Sequence, residues 1–440
     1  LTMDAFSMSF LDHIPAILRI ALAFILILVA IRKKVSLGNA LTAGALALGL
    51  SFGLGPLEIL KSALLSVTQP KTLALAVIVM LILVFSHSME VAGQMNRLLD
   101  NFRGLVRRPS LNLIVFPALI GLLPMPGGAI FSAPMVKNLG HRHLLKSDQL
   151  SYLNYWFRHI WEYWWPLYPG VLLTTTIAGL NLWSFVLVLF PLTLVALMAG
   201  FRPLRGALAE SLSSAVEADR AGLRPFLVEL SPVLVVIFVG MGLGILLSAL
   251  TDAGSFVTAK ETGLIVALIL AISSVWYNNR FTAARLRTVI LNPKLLGMFY
   301  MVTSILIFQG ILEDSRAIEA VSRELIRWHV PLVPITMLLP FLVGGVAGIT
   351  IAFVGTTFPI LISLIQTMGH GHLLLPYMML ALVSGFVGVL LSPLHLCLLL
   401  SNAYFKTTLT SVYRLLWQPC TILILAAGVY FKLMCSLLER

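Results

Sequence analysis

Residues 111–136 read LNLIVFPALIGLLPMPGGAIFSAPMV. The stretch is apolar and long enough to enter a bilayer, whose hydrocarbon core takes about 20 helical residues to cross. It is also badly broken, by Pro117, Pro124, Pro126, Gly127, Gly128 and Pro134. Backbone groups freed by such breaks cannot face lipid and must face protein or a protein-lined cavity. The flanks decide how it lies. Arg97, Arg103, Arg107 and Arg108 precede it, and Lys137, Arg142 and Lys146 follow it. Basic loops stay on the cytoplasmic side, so the stretch is expected to enter and leave by one face, as a re-entrant hairpin. A second broken stretch, around 331–364, carries Pro340, Gly344, Gly345, Gly348, Gly355 and Pro359 and reads as a second hairpin.

The rest of the chain agrees with a bilayer setting. Of its 440 residues 59% are hydrophobic and 11% charged, well under half the roughly 25% of charge in an ordinary soluble domain, and the mean hydropathy is +0.97. That excludes a soluble enzyme, a disordered chain and a disulfide scaffold. Ten further segments read as spans: 14–31, 37–54, 72–95, 152–178, 182–200, 231–250, 263–277, 295–312, 374–405 and 412–434. The fold class is therefore an all-α polytopic membrane protein. Threading the spans places twenty basic residues on the inner face and eight on the outer. Both termini then lie outside and the second hairpin opens outward. The net charge of +12 is scattered between apolar segments as orientation signals, so no nucleic-acid partner is expected. Cys397, Cys420 and Cys435 sit in apolar sequence with no CxxC and read as small core residues; no metal site or cofactor is expected.

The two halves overlay with an offset of 223. Pro70 falls on Pro293, Glu90 on Glu313, Pro117 on Pro340 and Gly121 on Gly344; with a gap of four after the hairpin, Pro166 falls on Pro393. Residues 14–200 form a first repeat with its hairpin at 111–136 and a broken helix at 152–178. Residues 231–434 form a second, with its hairpin at 331–364 and a broken helix at 374–405. A polar, amphipathic, cytoplasmic linker at 201–230 joins them. Short amphipathic stretches near 56–70 and 278–292 precede the third span of each half. Five spans per half is an odd number, so the repeats are expected to be inverted in the membrane. Inverted repeats with broken helices are the architecture of secondary transporters, with substrate near the midplane.

Pro124-Met-Pro-Gly-Gly-Ala129, Ser132-Ala-Pro134, Arg158-His-Ile-Trp-Glu162 leading to Pro166-Leu-Tyr-Pro169, and Ser392-Pro-Leu-His395 resemble an uncharacterised prokaryotic membrane family, domain of unknown function 401. That family is placed in the ion-transporter superfamily with citrate, dicarboxylate, arsenite and gluconate carriers. The resemblance covers nearly the whole chain. It implies a homodimer in a prokaryotic inner membrane, with a scaffold domain and an elevator-like transport domain, and supplies no substrate. Dicarboxylate members carry Ser-Asn-Thr sodium motifs at both hairpin tips. Here Ser132-Ala-Pro134 and Gly355-Thr-Thr357 stand in their place, which favours protons over sodium as coupling ion.

Arg158, His159 and Glu162 are the sharpest chemical feature. Arg158 and Glu162 are four apart and are expected to share a helix face; His159 and Glu162, three apart, are expected nearly to do so. A charge at the bilayer centre costs at least about 2.5–3.5 kcal/mol, so such groups face a cavity or one another. Two readings stand: an ion pair that locks packing, or Arg158 as counter-ion for an anion with Glu162 or His159 as the titrating, coupling group. Pro166 and Pro169 are expected to break the span just past these charges, and Pro393 its counterpart. The freed helix ends favour anions at N-termini and cations at C-termini. Ser392, His395, Ser401 and Asn402 lie at or past the second break; Ser392, His395 and Asn402 are candidate contacts to solute, and His395 is either a satisfied core residue or a group for binding or proton transfer. Gly127, Gly128 and Ser132 from one hairpin, with Gly344, Gly345, Gly348, Thr350, Gly355, Thr356 and Thr357 from the other, are the remaining candidate contacts to solute; small residues that only let helices pack are the alternative. His87 with Glu90 and Glu313 read as interfacial. His141 with His143, and His370 with His372, read as loop histidines.

No HExxH, GxSxG or Walker A pattern is present, and His159-Ile-Trp-Glu162-Tyr163 lacks the second histidine of an HxxEH site, so no enzyme is expected. The expected function is secondary active transport of a small anionic, carboxylate-type solute, coupled to protons. A cation/proton antiporter with Glu162 as exchange site and a flippase for anionic lipid headgroups are the alternatives.

Overall fold

The computed structural model describes residues 14–103, 109–124, 128–142, 145–204, 223–250, 259–328 and 330–439. Among them the regular elements are helices and no strand occurs. In chain order the first half has α1 (Ala16–Arg32), α2 (Leu37–Ser51), α3 (Pro56–Thr68), α4 (Pro70–Val91), α5 (Gln94–Arg103), α6 (Pro109–Gly121), α7 (Ala129–Arg142), α8 (Ser147–His159), α9 (Pro169–Ala178) and α10 (Leu182–Phe201). The second half has α11 (Leu223–Leu250), α12 (Ala259–Asn278), α13 (Ala283–Ile290), α14 (Pro293–Asp314), α15 (Ala317–Arg327), α16 (Leu332–Ala347), α17 (Thr350–Thr367), α18 (Leu374–Leu390), α19 (Leu396–Phe405) and α20 (Leu409–Leu438). The elements of one half match those of the other one for one, and α8, α9 and α10 start 227 residues before α18, α19 and α20.

The packing repeats with the order. Within each half the first two helices pack together, α1 on α2 and α11 on α12. Each hairpin packs limb on limb, α6 on α7 and α16 on α17, and against the helix that follows, α8 and α18. Contacts between halves come in exchanged pairs: α2 on α14 and α12 on α4, α9 on α17 and α19 on α7, α15 on α1 and α5 on α11. Reciprocal contacts of this kind are those of a two-fold interface, where one patch meets its own copy. Polar side chains fasten some of them. Glu324 of α15 accepts from the backbone N–H groups of Ala16 and Ile17 at the start of α1, filling two donors with no partner inside that helix. On the other side Arg97 of α5 pairs with Glu229 of α11 at 2.7 Å.

Eight helices among the described residues are long and apolar enough to cross a membrane: 73–91, 182–204, 223–247, 261–278, 283–314, 350–367, 371–390 and 409–438. Three of the ten expected spans fall short of that length. The segments at 14–31 and 37–54 form α1 and α2, of 17 and 15 residues, and 152–178 is split between α8 and α9. In the other direction α17, read as one limb of a hairpin, has 18 residues and the required hydropathy. The expected linker is also shorter than 201–230, because α11 already begins at Leu223; residues 205–222 of it lie outside the described residues. Arg19, a charge inside the first segment, is satisfied locally. It donates to the carbonyls of Ile14 and Ser51 and stands 4.6 Å over the Phe52 ring.

Candidate functional site

The second hairpin turns at Gly348 and Ile349. Gly348 ends α16 with φ 67°, and its N–H bonds back to Gly344. Only glycine takes that left-handed cap without strain. Thr350 then opens α17. The expected turn residues Gly355, Thr356 and Thr357 lie further on, inside α17. The two threonine hydroxyls bond back to the carbonyls of Ala352 and Phe353, the habit of threonine within a helix. A Cβ at Gly355 would collide with Ile305 of α14, so that glycine serves close packing. In the first hairpin Gly127 lies outside the described residues, while Gly128 is buried against the Arg158 guanidinium, which a Cβ there would strike.

Helix α8 stops at His159, seven residues before Pro166. Arg158 and Glu162 therefore do not share a helix face. Glu162 lies in the unwound segment 160–168, where its N–H makes a turn bond to the His159 carbonyl. The segment is tied to the first hairpin: Trp161 Nε1 donates to the Ala118 carbonyl and the Tyr168 hydroxyl to that of Gly121, both at 2.7 Å. These are end-of-helix carbonyls of α6, which need partners from outside the helix. The second break, 391–395, is held in the same way. The carbonyls of Val389, Leu390 and Leu391 accept from His395 Nδ1, the Tyr155 hydroxyl and the Tyr413 hydroxyl. Ser392 is fully buried and accepts from the Leu394 N–H across the turn.

Both breaks and both hairpin ends meet at a cavity of about 330 Å³. Its wall includes Pro124 from the first hairpin, Arg158, His159, Glu162, Tyr168, Pro169 and Gly170 around the first break, Gly348 to Ile351 from the second hairpin, and Leu394 to Cys397 around the second break. Leu83 of α4 and Met301 of α14 complete it, one from each half. Three helices, α9, α17 and α19, begin in this wall, so their free N–H ends and the positive ends of their dipoles lie there. Arg158 is 2% exposed and Glu162 keeps some access, at 13% for its side chain. Glu162 Oε1 accepts from the Thr350 hydroxyl, which joins the first break to the second hairpin. Its Oε2 stands 3.9 Å from His159 Nε2.

The structure thus brings together Arg158, His159, Glu162 and His395. Ser132 and Asn402 are not in this wall but in a separate buried polar cluster. Asn154 of α8 accepts from Ser132 through Oδ1 and donates to the Ala129 carbonyl and to Ser401. Asn402 accepts from Ser151 at 2.6 Å. The cluster joins α7 and α8 of one half to α19 of the other.

Sequence reasoning included Thr350 among the hairpin contacts but missed Asn154 and the part Cys397 plays in the wall. Cys397, expected as a plain core residue, is buried but forms part of the cavity wall, within 4.8 Å of ligand nitrogens of His159 and His395. The spacing His395-Leu-Cys397 at the start of a helix was the signal for it; Asn154 had none beyond being polar in an apolar stretch. His87 bonds Glu90 at 3.1 Å at the exposed end of α4, and Gln309 bonds Glu313 at 3.0 Å near the end of α14, both away from this cavity.

A helical protein with several membrane-spanning helices, its two halves matching in element order and meeting at a largely apolar cavity that Arg158, His159, Glu162 and His395 line, is the class so defined. The chain belongs to the family described as protein of unknown function DUF401, which matches residues 16–433. Comparison with curated proteins gave no match.

Proposed function

We propose that the protein is a secondary active transporter, coupled to protons, that moves a small carboxylate-type anion by an alternating-access, elevator-like mechanism. The observation that carries this is the cavity. A buried arginine and three helix N-termini line one cavity at the junction of the two halves, and both kinds of group favour an anion. Glu162 and His159, at 3.9 Å, are the proton-carrying pair in this reading. The reciprocal contacts between halves support an inverted repeat in which both hairpins re-enter the membrane and transport occurs by movement of the hairpins and broken helices against the remaining helices. The homodimer, the prokaryotic inner membrane and the outer placement of both termini belong to the same reading.

The test is charge movement in proteoliposomes on a solid-supported membrane, with a panel of small carboxylates, then sodium and potassium, with and without a pH gradient. A carboxylate-evoked current that disappears in Arg158→Ala is the expected result. Normal carboxylate transport by that variant would overturn it. A current evoked by cations and indifferent to carboxylates would favour a cation/proton antiporter with Glu162 as exchange site. The observation favouring that second reading is Glu162 itself, a partly accessible carboxylate in the cavity wall.

A further inference from the structure

Three soft or borderline donors meet in the cavity wall from opposite halves of the chain. His159 ends α8, His395 caps α19, and Cys397 lies in the first turn of α19. All three are buried, and their ligand atoms lie within 4.8 Å of one another.

The orientation of the two imidazoles is fixed from behind. His159 Nδ1 lies 2.6 Å from the Tyr155 carbonyl and His395 Nδ1 lies 3.3 Å from that of Val389. A backbone carbonyl can only accept, so each Nδ1 carries the proton and each neutral ring keeps its lone pair on Nε2. That is the arrangement by which metal-binding histidines are held: one nitrogen bonded to an outer acceptor, the other free for the ion. The Tyr155 ring packs on both, with centroids 4.6 and 5.3 Å away, and the two histidine rings stand edge to face at 4.8 Å.

We propose that His159 Nε2, His395 Nε2 and Cys397 Sγ form a binding site for a zinc-class divalent metal ion, with a fourth coordination position open to the cavity. Two imidazoles and a thiolate suit a borderline-soft ion, and three protein ligands with an open position is the pattern of accessible zinc sites. Bond lengths of about 2.0–2.3 Å require the donors to draw inward by roughly 1 Å, a movement within reach of side-chain torsions. Binding displaces the thiol proton, which leaves through the cavity. The thiolate and the nearby Glu162 carboxylate then balance the two charges of the ion. Arg158 and the helix N-termini leave the site short of negative charge, so the open position is suited to an anionic ligand. The site spans both halves, and an ion in it takes up part of the space available to a solute.

The test uses purified full-length protein and cobalt(II) as an optical stand-in for zinc. One equivalent of cobalt per chain is expected to give a sulfur-to-cobalt charge-transfer absorption with the strong visible bands of a four-coordinate site, and one equivalent of zinc to bleach both. Cys397→Ser should lose the charge-transfer band, and His395→Gln the four-coordinate visible spectrum. Cys420→Ser and Cys435→Ser should keep both. No charge-transfer band in the unaltered protein, or a band that survives in Cys397→Ser, would overturn the proposal, whichever variants fold. Because the readout is optical and uses no solute, its failure is distinct from failure of the transport reading. Retention of the band in Arg158→Ala, which is expected to lose transport, separates the two in one variant.

Discussion

Where the first half of the molecule sets Arg158, His159 and Glu162, the second half, 227 residues on, sets Gly385, Phe386 and Val389. The backbones correspond: α8 with α18, α9 with α19, and a break in between. Their use differs. Gly121 and Gly344, equivalent in the two hairpins, each press on the carbonyl of the corresponding residue, Arg158 in one half and Gly385 in the other. In the second half the helix runs on to Leu390 in apolar surroundings, and a Cβ at Gly385 would strike the Phe353 ring. In the first half it unwinds four residues sooner, counted in the same register, and the unwound turn carries the carboxylate. One half spends this position on close packing and the other on charge. The donors His395 and Cys397, in turn, stand where the first half has Tyr168 and Gly170. The same order of helices occurs in both halves, and the polar side chains of the cavity wall are divided between them.

Substitutions at equivalent positions would break or sharpen that division. Arg158→Ala should have the largest effect, a loss of about 2–5 kcal/mol in solute binding, by analogy with truncating one member of a buried charged contact. It would be read by ligand-induced thermal shift with the carboxylate that evokes current. Thr350→Val removes the hydroxyl that bonds Glu162 and should cost about 1.5–3 kcal/mol, visible as a lower melting temperature. Gly385→Ala should cost about 1–3 kcal/mol of stability by overpacking while leaving solute affinity in the surviving protein unchanged. If it impaired binding as severely as Arg158→Ala, the contrast between the halves would collapse. The smallest effect is expected from Tyr168→Phe, which gives up one hydrogen bond to the Gly121 carbonyl and about 0.5–1.5 kcal/mol, with no change in which solutes are recognised.

The architecture was largely legible because its causes are coarse. Hydropathy marks the long spans, and prolines and glycines mark both hairpins. The pairing Pro117 with Pro340 and Pro166 with Pro393 announced the matching halves. What escaped depends on local choices. Prolines forbid helix at their own positions, so they set a latest point for the break after α8. The actual break at Ile160 comes earlier, where Trp161 and Tyr168 bond the end of α6, a tertiary contact no local pattern contains. Gly355-Thr-Thr357 looked like a turn by composition, yet Gly348 supplies the left-handed residue that the turn needs. Asn154, Ser132 and Ser401 are ordinary polar residues in sequence, and only the crossing of α7, α8 and α19 makes them one network. Arg158, His159, Glu162 and His395 were visible because a charge or imidazole in an apolar segment has few bland explanations.

The three helices that begin in the cavity wall have a consequence for how this site can change over time. Much of its positive character resides in main-chain N–H groups, which substitution cannot remove unless it installs proline, and α9 already begins with one at Pro169. Side chains around the rim can therefore drift, altering the size and shape of what fits, while the preferred sign of charge is inherited with the fold. Members that share this backbone but differ at Leu83, Met301 or Ile349 would be expected to differ in the dimensions of the ligand they accept before they differ in its charge.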